Sequence, residues 1–222
     1  FKSTIKPRAL KIMAKKGSSV FGDEINLEYD SEGLLENDSL SGNIAIDSTD
    51  AGTYTIRQNT LNNPNYAIEF IGATYVISKR NINVVAKKLE KVYGENDPEF
   101  EYSATNLIDS EPLEGKLVRE EGEDVGVYKI SLGTLSNINY NIENFTGSEF
   151  VISSRKISLD ITIEDKVYDG NTSANYSYFL SNIAGRDQIE FNATMEFENA
   201  NAGDNKKIII KNSYFFGDRL NN

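Results

Sequence analysis

The feature that most constrains the fold of this chain is an internal repeat. Three segments of similar sequence begin at arginines that lie 72 and 75 residues apart, namely Arg8, Arg80 and Arg155. An aromatic residue keeps the same spacing inside each segment, at Phe21, Tyr93 and Tyr168. Self-similarity at a fixed period is typical of tandem modules, each of which is one structural unit. We therefore expect three modules in sequence.

The second halves of the segments agree as well. "DAGTYTI" (Asp50–Ile56) matches "DVGVYKI" (Asp124–Ile130), and "NAGDNKKIII" (Asn201–Ile210) is a weaker copy. "NYAIEFIGATYVIS" (Asn65–Ser78) matches "NYNIENFTGSEFVIS" (Asn139–Ser153) with one inserted residue. The third segment stops about where this closing sequence would begin. We expect it to be truncated at its C-terminal end or to obtain a substitute strand from elsewhere, because an unpaired edge strand is a hazard.

Each module is predicted to be mostly β, with little helix. "ALKIMAK", "NINVVAK" and "KISLDITIE" alternate apolar and polar residues, as half-buried strands do. Helical signal is limited to single turns at Leu34–Leu40 and Leu107–Gly115. Asp38 or Asp109 would cap such a turn, and Pro112 limits any longer helix.

We place the module boundaries at the repeated arginines. Residues 1–8 form the tail of a preceding module or a linker, residues 9–79 and 80–154 form complete modules, and residues 155–222 form a C-terminally truncated one. The joins "VISKRNINV" and "VISSRKISL" contain no linker rich in Gly, Pro and Ser. Units of roughly 75 residues can fold alone. We therefore predict small autonomous β domains arranged end to end in a fairly stiff row.

The residue types that the chain lacks narrow its chemistry. The 222 residues include no His and no Cys, so no Ser-His-Asp or Cys-His nucleophile and no ordinary zinc site can form. A net charge of −11 argues against a nucleic-acid partner and against contact with an anionic membrane surface, since both need a basic face. We predict a protein that is not an enzyme and binds no cofactor.

Two acidic stretches are candidates for a metal or ligand site. "KVYGENDPEFEY" (Lys91–Tyr102) carries Glu95, Asp97, Glu99 and Glu101, and "REEGEDVG" (Arg119–Gly126) is the densest acidic run. Clustered carboxylates suit calcium, but the acids are not repeated in the other modules and no EF-hand spacing is present. We favour solvated turns, with Glu99 and Glu101 facing water, and predict no metal site.

The aromatic residues divide into repeated and unrepeated ones. Matching across modules predicts a core position, with each tyrosine hydroxyl bonded to a local backbone group, for the pairs Tyr54 and Tyr128, Tyr66 and Tyr140, and Tyr75 and Phe150. The unrepeated residues of "NYSYF" and "SYFF" (Ser213–Phe216) lack this explanation. Tyr176, Tyr178 and Phe179 are therefore our candidate ligand-binding residues.

The ordered set of motifs resembles two families of repeats. A basic residue, an alternating strand, "VYGxxDP", "DVGxY.I" and a closing "NYxIxFxGA" segment are similar to MBG ("mostly beta-grasp") repeats, most fully in residues 80–154. The third module resembles the YDG repeat through "KVYDGNTSA" (Lys166–Ala174), "AGRDQIEF" (Ala184–Phe191) and "NAGDNKKIII". The resemblance implies a β-grasp-like, ubiquitin-related fold within long exported proteins of bacteria.

This resemblance sets the functional expectation. It implies a non-catalytic repeat region of a bacterial cell-surface or secreted protein, located outside the cell, that acts as an extended stalk or spacer in adhesion. One alternative is that the modules themselves bind a host glycan or matrix protein. Another is that they are accessory modules of a larger secreted enzyme. The expected partners are neighbouring repeats of the same chain and, under the first alternative, the glycan or matrix protein.

Overall fold

The computed structural model describes residues 1–185 and 187–222; Arg186, within the predicted "AGRDQIEF" motif, lies outside the described residues. These residues form seventeen β-strands and no helix, which confirms the mostly-β prediction. Within the described ranges there is accordingly no helix long and apolar enough to cross a membrane.

The first module contains two small sheets. In one, β1 (Arg8–Ala14) lies between β3 (Tyr29–Glu32), which is antiparallel to it, and β5 (Tyr66–Ile71), which is parallel. In the other, β6 (Thr74–Ser78) lies between β2 (Gly17–Val20) and β4 (Gly52–Thr55). The alternation of β1 buries Leu10 and Ile12 on one face. Tyr75 and Ile77 of β6 are buried as well, as is Ile56 directly after β4.

The second module repeats this plan. One sheet has the order β12 (Tyr140–Thr146), β7 (Arg80–Ala86), β9 (Tyr102–Thr105), with β7 and β12 parallel. The other has the order β10 (Val118–Arg119), β11 (Gly126–Ser131), β13 (Ser148–Ser153), β8 (Leu89–Val92). The pairing of β12 with β7 skips from Ile142 to Asn144. Glu143 is therefore the extra residue of the second repeat, and a β-bulge accommodates it.

The third module consists of two antiparallel pairs. β14 (Ser158–Ile163) pairs with β15 (Tyr176–Ser181), and β16 (Ile189–Phe197) pairs with β17 (Ile208–Gly217). Its core is small and comprises four buried side chains with half-buried apolar residues packed around them: Ala174, Phe191, Ala193 and Met195.

The chain forms two compact units whose boundary runs through the second module. The first unit comprises Phe1–Ala86, Tyr102–Leu117 and Leu132–Thr146, and the second comprises Lys87–Glu101, Val118–Ser131 and Gly147–Asn222. Each unit therefore contains one terminal module together with one of the two sheets of the second module.

The prediction of single helical turns is wrong. At both sites the chain forms a hydrogen-bonded turn without a helix, closed from Asp38 N to Leu35 O and from Glu111 N to Ile108 O. Asp38 does not cap a helix. Its carboxylate instead accepts a 2.5 Å hydrogen bond from the hydroxyl of Tyr66, which in turn accepts one from Leu35 N. The carboxylate that would have capped a helix is therefore occupied by the hydroxyl of the buried tyrosine.

Candidate functional site: the joints between modules

The first joint is a set of contacts within the first unit, and Asn139 is at its centre. The side-chain oxygen of Asn139 accepts a 2.7 Å hydrogen bond from Ala51 N, and its amide nitrogen donates a 3.0 Å hydrogen bond to Asp50 Oδ1. Asn139 is only 2% exposed. A buried amide is expensive unless both of its ends are bonded. Here both ends are satisfied by the turn that opens β4 of the preceding module.

The second joint, within the second unit, repeats this arrangement with a different asparagine. Asn222 Oδ1 accepts a 2.9 Å hydrogen bond from Val125 N, and Asn222 Nδ2 donates a 3.2 Å hydrogen bond to Asp124 Oδ1. Asp124 and Val125 are the repeat equivalents of Asp50 and Ala51. The same side-chain clamp therefore recurs where the third module meets the second.

The repeated arginines have a matching role. Arg80 Nε donates a 2.7 Å hydrogen bond to the carbonyl oxygen of Phe21, and Arg155 Nε donates one of the same length to that of Tyr93. Arg80 also forms an ion pair with Asp23. Arg80 and Arg155 each begin one module and bond to the aromatic turn of the module before it, whereas Arg8 Nε donates a hydrogen bond to the carbonyl oxygen of Gly33. The period of the repeat is thus also the period of the joints.

The glycine after each aromatic residue allows close approach. Gly22 and Gly94 both have φ of +82°, a conformation that side-chain-bearing residues rarely adopt. A Cβ at Gly22 would lie 2.2 Å from Ile108 Cδ1, and one at Gly94 would lie 2.5 Å from Ala184 Cβ. The absence of a side chain lets the next module pack directly on this turn.

An aromatic contact completes the first joint. The rings of Phe21 and Tyr140 meet edge to face with centroids 5.6 Å apart, and both residues are buried. The hydroxyl of Tyr140 accepts a 3.1 Å hydrogen bond from Ile108 N. Edge-to-face pairs are favourable because the ring edge is positive and the ring face negative. Module contact is therefore apolar at its centre and hydrogen-bonded around it.

A charged cluster brings the two predicted acidic stretches together. Lys91 Nζ lies 2.7 Å from Asp97 Oδ1 and is also paired with Glu123. Arg119 Nε lies 2.7 Å from Asp97 Oδ2, and its guanidinium stands 5.0 Å from the ring centroid of Phe150. The side chain of Lys91 is 3% exposed and that of Arg119 is 8% exposed. Two largely buried cations thus face two carboxylates, of which that of Asp97 is partly buried and that of Glu123 is exposed.

This arrangement bears on the calcium hypothesis. Asp97 is directed at Lys91 and Arg119, and Glu101 pairs with Lys87 at 2.7 Å. Glu99 and Glu101 are exposed, as predicted. Within the described part of the chain, no group of three or more His, Cys, Asp or Glu side chains is placed to hold a metal ion. The cluster is a mutually neutralising ion network, which fixes one loop against another.

Acid should weaken this network. The hydrogen bond from Arg119 holds the pKa of Asp97 below its usual value, and the hydrogen bond from Lys91 does the same for the pKa of Glu123. A carboxyl whose pKa is lower in the folded state stabilises the fold above its unfolded pKa of about 4. That contribution is lost as the pH falls through the folded pKa, so we expect the free energy of unfolding to fall below about pH 4.

The Asp97→Asn variant isolates this effect. At pH 7 it should lose roughly 1.5–3 kcal/mol, the usual size of hydrogen bonds to charged groups. Its stability should also depend less on pH in the acid range than that of the unsubstituted chain. Urea unfolding between pH 7 and pH 2 measures both quantities, with the exposed Glu99→Gln as the matched control. If the free energy of unfolding fell equally with acid in Asp97→Asn and in the unsubstituted chain, Asp97 would not be the source of the pH dependence.

The three predicted ligand-binding residues all lie on β15, but they do not form one surface. Tyr176 and Tyr178 share a face, and their rings lie 6.2 and 5.8 Å from that of Phe191. The hydroxyl of Tyr176 also accepts a 2.8 Å hydrogen bond from Ala193 N. Phe179 occupies the other face of the strand and is 66% exposed. Ligand binding by these residues stays a prediction.

Four of the six repeated aromatic residues are buried as expected, but the hydroxyl of Tyr66 donates to the carboxylate of Asp38 and not to a local backbone group. Tyr66, Tyr75, Tyr140 and Phe150 are buried. Tyr54 and Tyr128 are half-buried, and their hydroxyls donate to the local carbonyls of Asp50 and Asp124 at 2.8 and 2.7 Å. Asn139 was the residue that sequence reasoning missed, although its place in the repeated "NY" pair and the recurrence of Asp50 at Asp124 were visible signals.

Comparison with known families agrees with the repeat. The model of the MBG domain (YGX type) matches residues 10–76 and 82–151, and that of the YDG domain matches residues 153–222. No curated protein and no solved structure gives a significant match to the chain. MBG and YDG domains are repeat domains of surface proteins and are not known as catalytic families. The chain therefore belongs to the MBG (YGX type) domain family, with two such domains followed by a YDG domain.

Proposed function

We propose that this chain is a non-catalytic, extended spacer in a bacterial cell-surface or secreted protein that takes part in adhesion. The observation that carries the proposal is the joint, which is built twice from equivalent groups. A spacer must hold each module in a fixed orientation relative to the next one. A clamp that is repeated at both module boundaries serves this purpose.

The chemistry of the joint supports resistance to bending. Opening the first joint would separate the amide of Asn139 from both of its partners and Arg80 from the Phe21 carbonyl. Buried groups that lose their hydrogen bonds each cost about 1–3 kcal/mol until water replaces the partner. One residue, Lys79, lies between β6 and β7, so the connecting chain has little freedom of its own. These terms together favour one relative orientation across a joint.

The charge and site inventory supports a role without catalysis. The sequence lacks His and Cys, and the buried cations Lys91 and Arg119 are neutralised by the carboxylates of Asp97 and Glu123. Such paired charges fix loops and leave little reactivity for acid–base work, since each partner stabilises the charged form of the other. A spacer needs stability and solubility, and a net charge of −11 serves solubility.

Small-angle scattering of the whole fragment tests the proposal. A single compact globule of this length would have a radius of gyration of about 17 Å. A spacer of modules in a row should give a clearly larger value, together with a maximum dimension that grows when a further module is added. A radius near that of the globule would contradict the spacer function.

The alternative function, binding of a host glycan or matrix protein by the modules themselves, is favoured by one observation. The ring of Phe179 is 66% exposed on a strand and offers an apolar face of the kind that stacks on sugar rings. On this alternative, bead-displayed protein should bind one member of a glycan and matrix-protein panel saturably. Phe179→Ala should weaken that binding at least tenfold, whereas the exposed Ser177→Ala should not. If folded protein bound no member of the panel, the result would contradict this alternative.

A further inference from the structure

The first strand of each MBG module lies between two neighbours. β1 has β5 as a parallel neighbour, and β7 has β12 in the same role. Within residues 1–185 and 187–222, β14 of the YDG module pairs with β15 alone. Its other edge therefore presents backbone donors and acceptors of the kind that accept an added strand.

The hydrogen bond that precedes the parallel strand in each MBG module is also present beside β14. Arg8 N donates a 2.9 Å hydrogen bond to Asn65 O, and Arg80 N donates a 3.0 Å hydrogen bond to Asn139 O. In both cases the next residue is the tyrosine that opens the parallel strand. Arg155 N donates a 2.9 Å hydrogen bond to Asn222 O in the same way. Asn222 thus occupies the position that comes immediately before such a tyrosine.

A cavity of about 470 Å³ lies beside Asn222, within the second unit. Its walls include Tyr93, Ile157, Ala184 and Phe215. Tyr93 is the repeat equivalent of Phe21, and Ala184 meets Gly94 as Ile108 meets Gly22. In the first unit these equivalents, Phe21 and Ile108, are the groups that hold the ring and hydroxyl of Tyr140. The cavity therefore has the walls of a tyrosine site.

The burial of the first strands gives independent support. Ile82 and Val84 on β7 are 0% exposed, whereas their repeat equivalents Ile157 and Leu159 are only half-buried. The same apolar pattern thus reaches a lower degree of burial in the third module. A strand laid along β14 would cover these side chains and gain about 25 cal/mol for each Å² of apolar surface removed from water.

We propose that the outer edge of β14 is an acceptor for a parallel strand of the type Tyr-x-Ile, and that such a strand fits this edge when its tyrosine is joined to the carbonyl group of Asn222. The strand pairs with β14 in parallel, as β12 pairs with β7, and its tyrosine fills the cavity between Tyr93 and Ala184. Asn222 then serves twice, since its side chain clamps the joint to Asp124 and its carbonyl sets the register of the added strand. This assignment concerns the YDG module alone and holds whether or not the array is a spacer.

The test appends the β5 sequence, YAIEFI, to Asn222 of the full chain. We expect the unfolding midpoint of the transition that includes the third module to rise by about 5 °C or more, the effect of one or two kcal/mol on a small domain. The β14 amides that do not bond to β15 should exchange with solvent at least tenfold more slowly. The control appends AAIEFI, which keeps the strand and removes the tyrosine ring.

Each outcome separates the parts of the proposal. A full gain with YAIEFI and a small one with AAIEFI supports both the strand and the cavity assignment. Equal gains from the two sequences overturn the cavity assignment, and no gain in stability or amide protection overturns the proposal. A chain that is dimeric by light scattering before and after the addition, with β14 already protected, would show that a second copy covers this edge and would also overturn it.

Discussion

Replacing Tyr140 with alanine is expected to lower the free energy of unfolding by about 3–5 kcal/mol, the usual cost of truncating a buried aromatic side chain. Tyr140 is 4% exposed, its ring packs on Phe21, and its hydroxyl accepts a hydrogen bond from Ile108 N. The substitution leaves a cavity in the second module, removes the apolar centre of the first joint and leaves the Ile108 donor without this partner. Urea unfolding followed by circular dichroism measures the loss.

A double-mutant cycle separates the joint from the core. Phe21→Ala and Tyr140→Ala each remove one ring, and the double variant removes both. If the two modules are coupled through these rings, the double variant should lose about 0.5–1.5 kcal/mol less than the sum of the single losses. Tyr66→Ala in place of Tyr140→Ala is the matched control, and it should be additive with Phe21→Ala. Additivity in the Phe21 and Tyr140 cycle would show that the contact does not couple the modules.

Replacing Gly94 with alanine is expected to have an effect of similar size and to act on the second joint. Two costs combine at this position. An alanine held at φ of +82° costs about 1–3 kcal/mol, and its Cβ would lie 2.5 Å from the Cβ of Ala184. Neither atom is the end of a flexible side chain, so the backbone must shift, which typically costs about 1–3 kcal/mol more. Urea unfolding should therefore show a total loss of roughly 2–6 kcal/mol.

The chain provides a matched control at Gly170. Its φ is +77°, close to that of Gly94, but a Cβ added there would meet no other atom within 4 Å. Gly170→Ala should therefore show the conformational cost alone, and the difference between the two variants measures the close approach at the joint. Equal losses for Gly94→Ala and Gly170→Ala would mean that the third module does not pack on the turn after Tyr93.

Much of the fold could be predicted because the repeated segments can be aligned with one another. Alternation predicted the strands, and the single inserted residue of the second repeat became the bulge at Glu143. The helical turns failed for a physical reason. Tyr66 is buried close to Asp38 and donates a hydrogen bond to it, which a local reading of capping residues does not include. Tertiary burial decided the role of that carboxylate.

The joints and the charged cluster were harder to predict than the strands. A buried asparagine needs partners, but the sequence does not say that those of Asn139 lie 88 and 89 residues earlier in the chain. In the same way, Lys91 and Arg119 are separated in sequence and meet only because β8, β13, β11 and β10 form one sheet. The sequence located both acidic stretches as loops, and the sheet order determined that they face each other.

If a joint holds its two modules in one orientation, the distance between fixed points on the two modules has a single value. Because the chain has no cysteine, spin labels can be placed at introduced cysteines alone. Labels at Thr53→Cys in β4 and Ser103→Cys in β9 lie at exposed positions on either side of the first joint, both within the first unit. We expect pulsed electron–electron double resonance to give a single narrow distance distribution. This distribution should broaden when the Asn139→Ala substitution is added. A broad distribution in the otherwise unsubstituted chain would contradict a stiff joint and with it the spacer function.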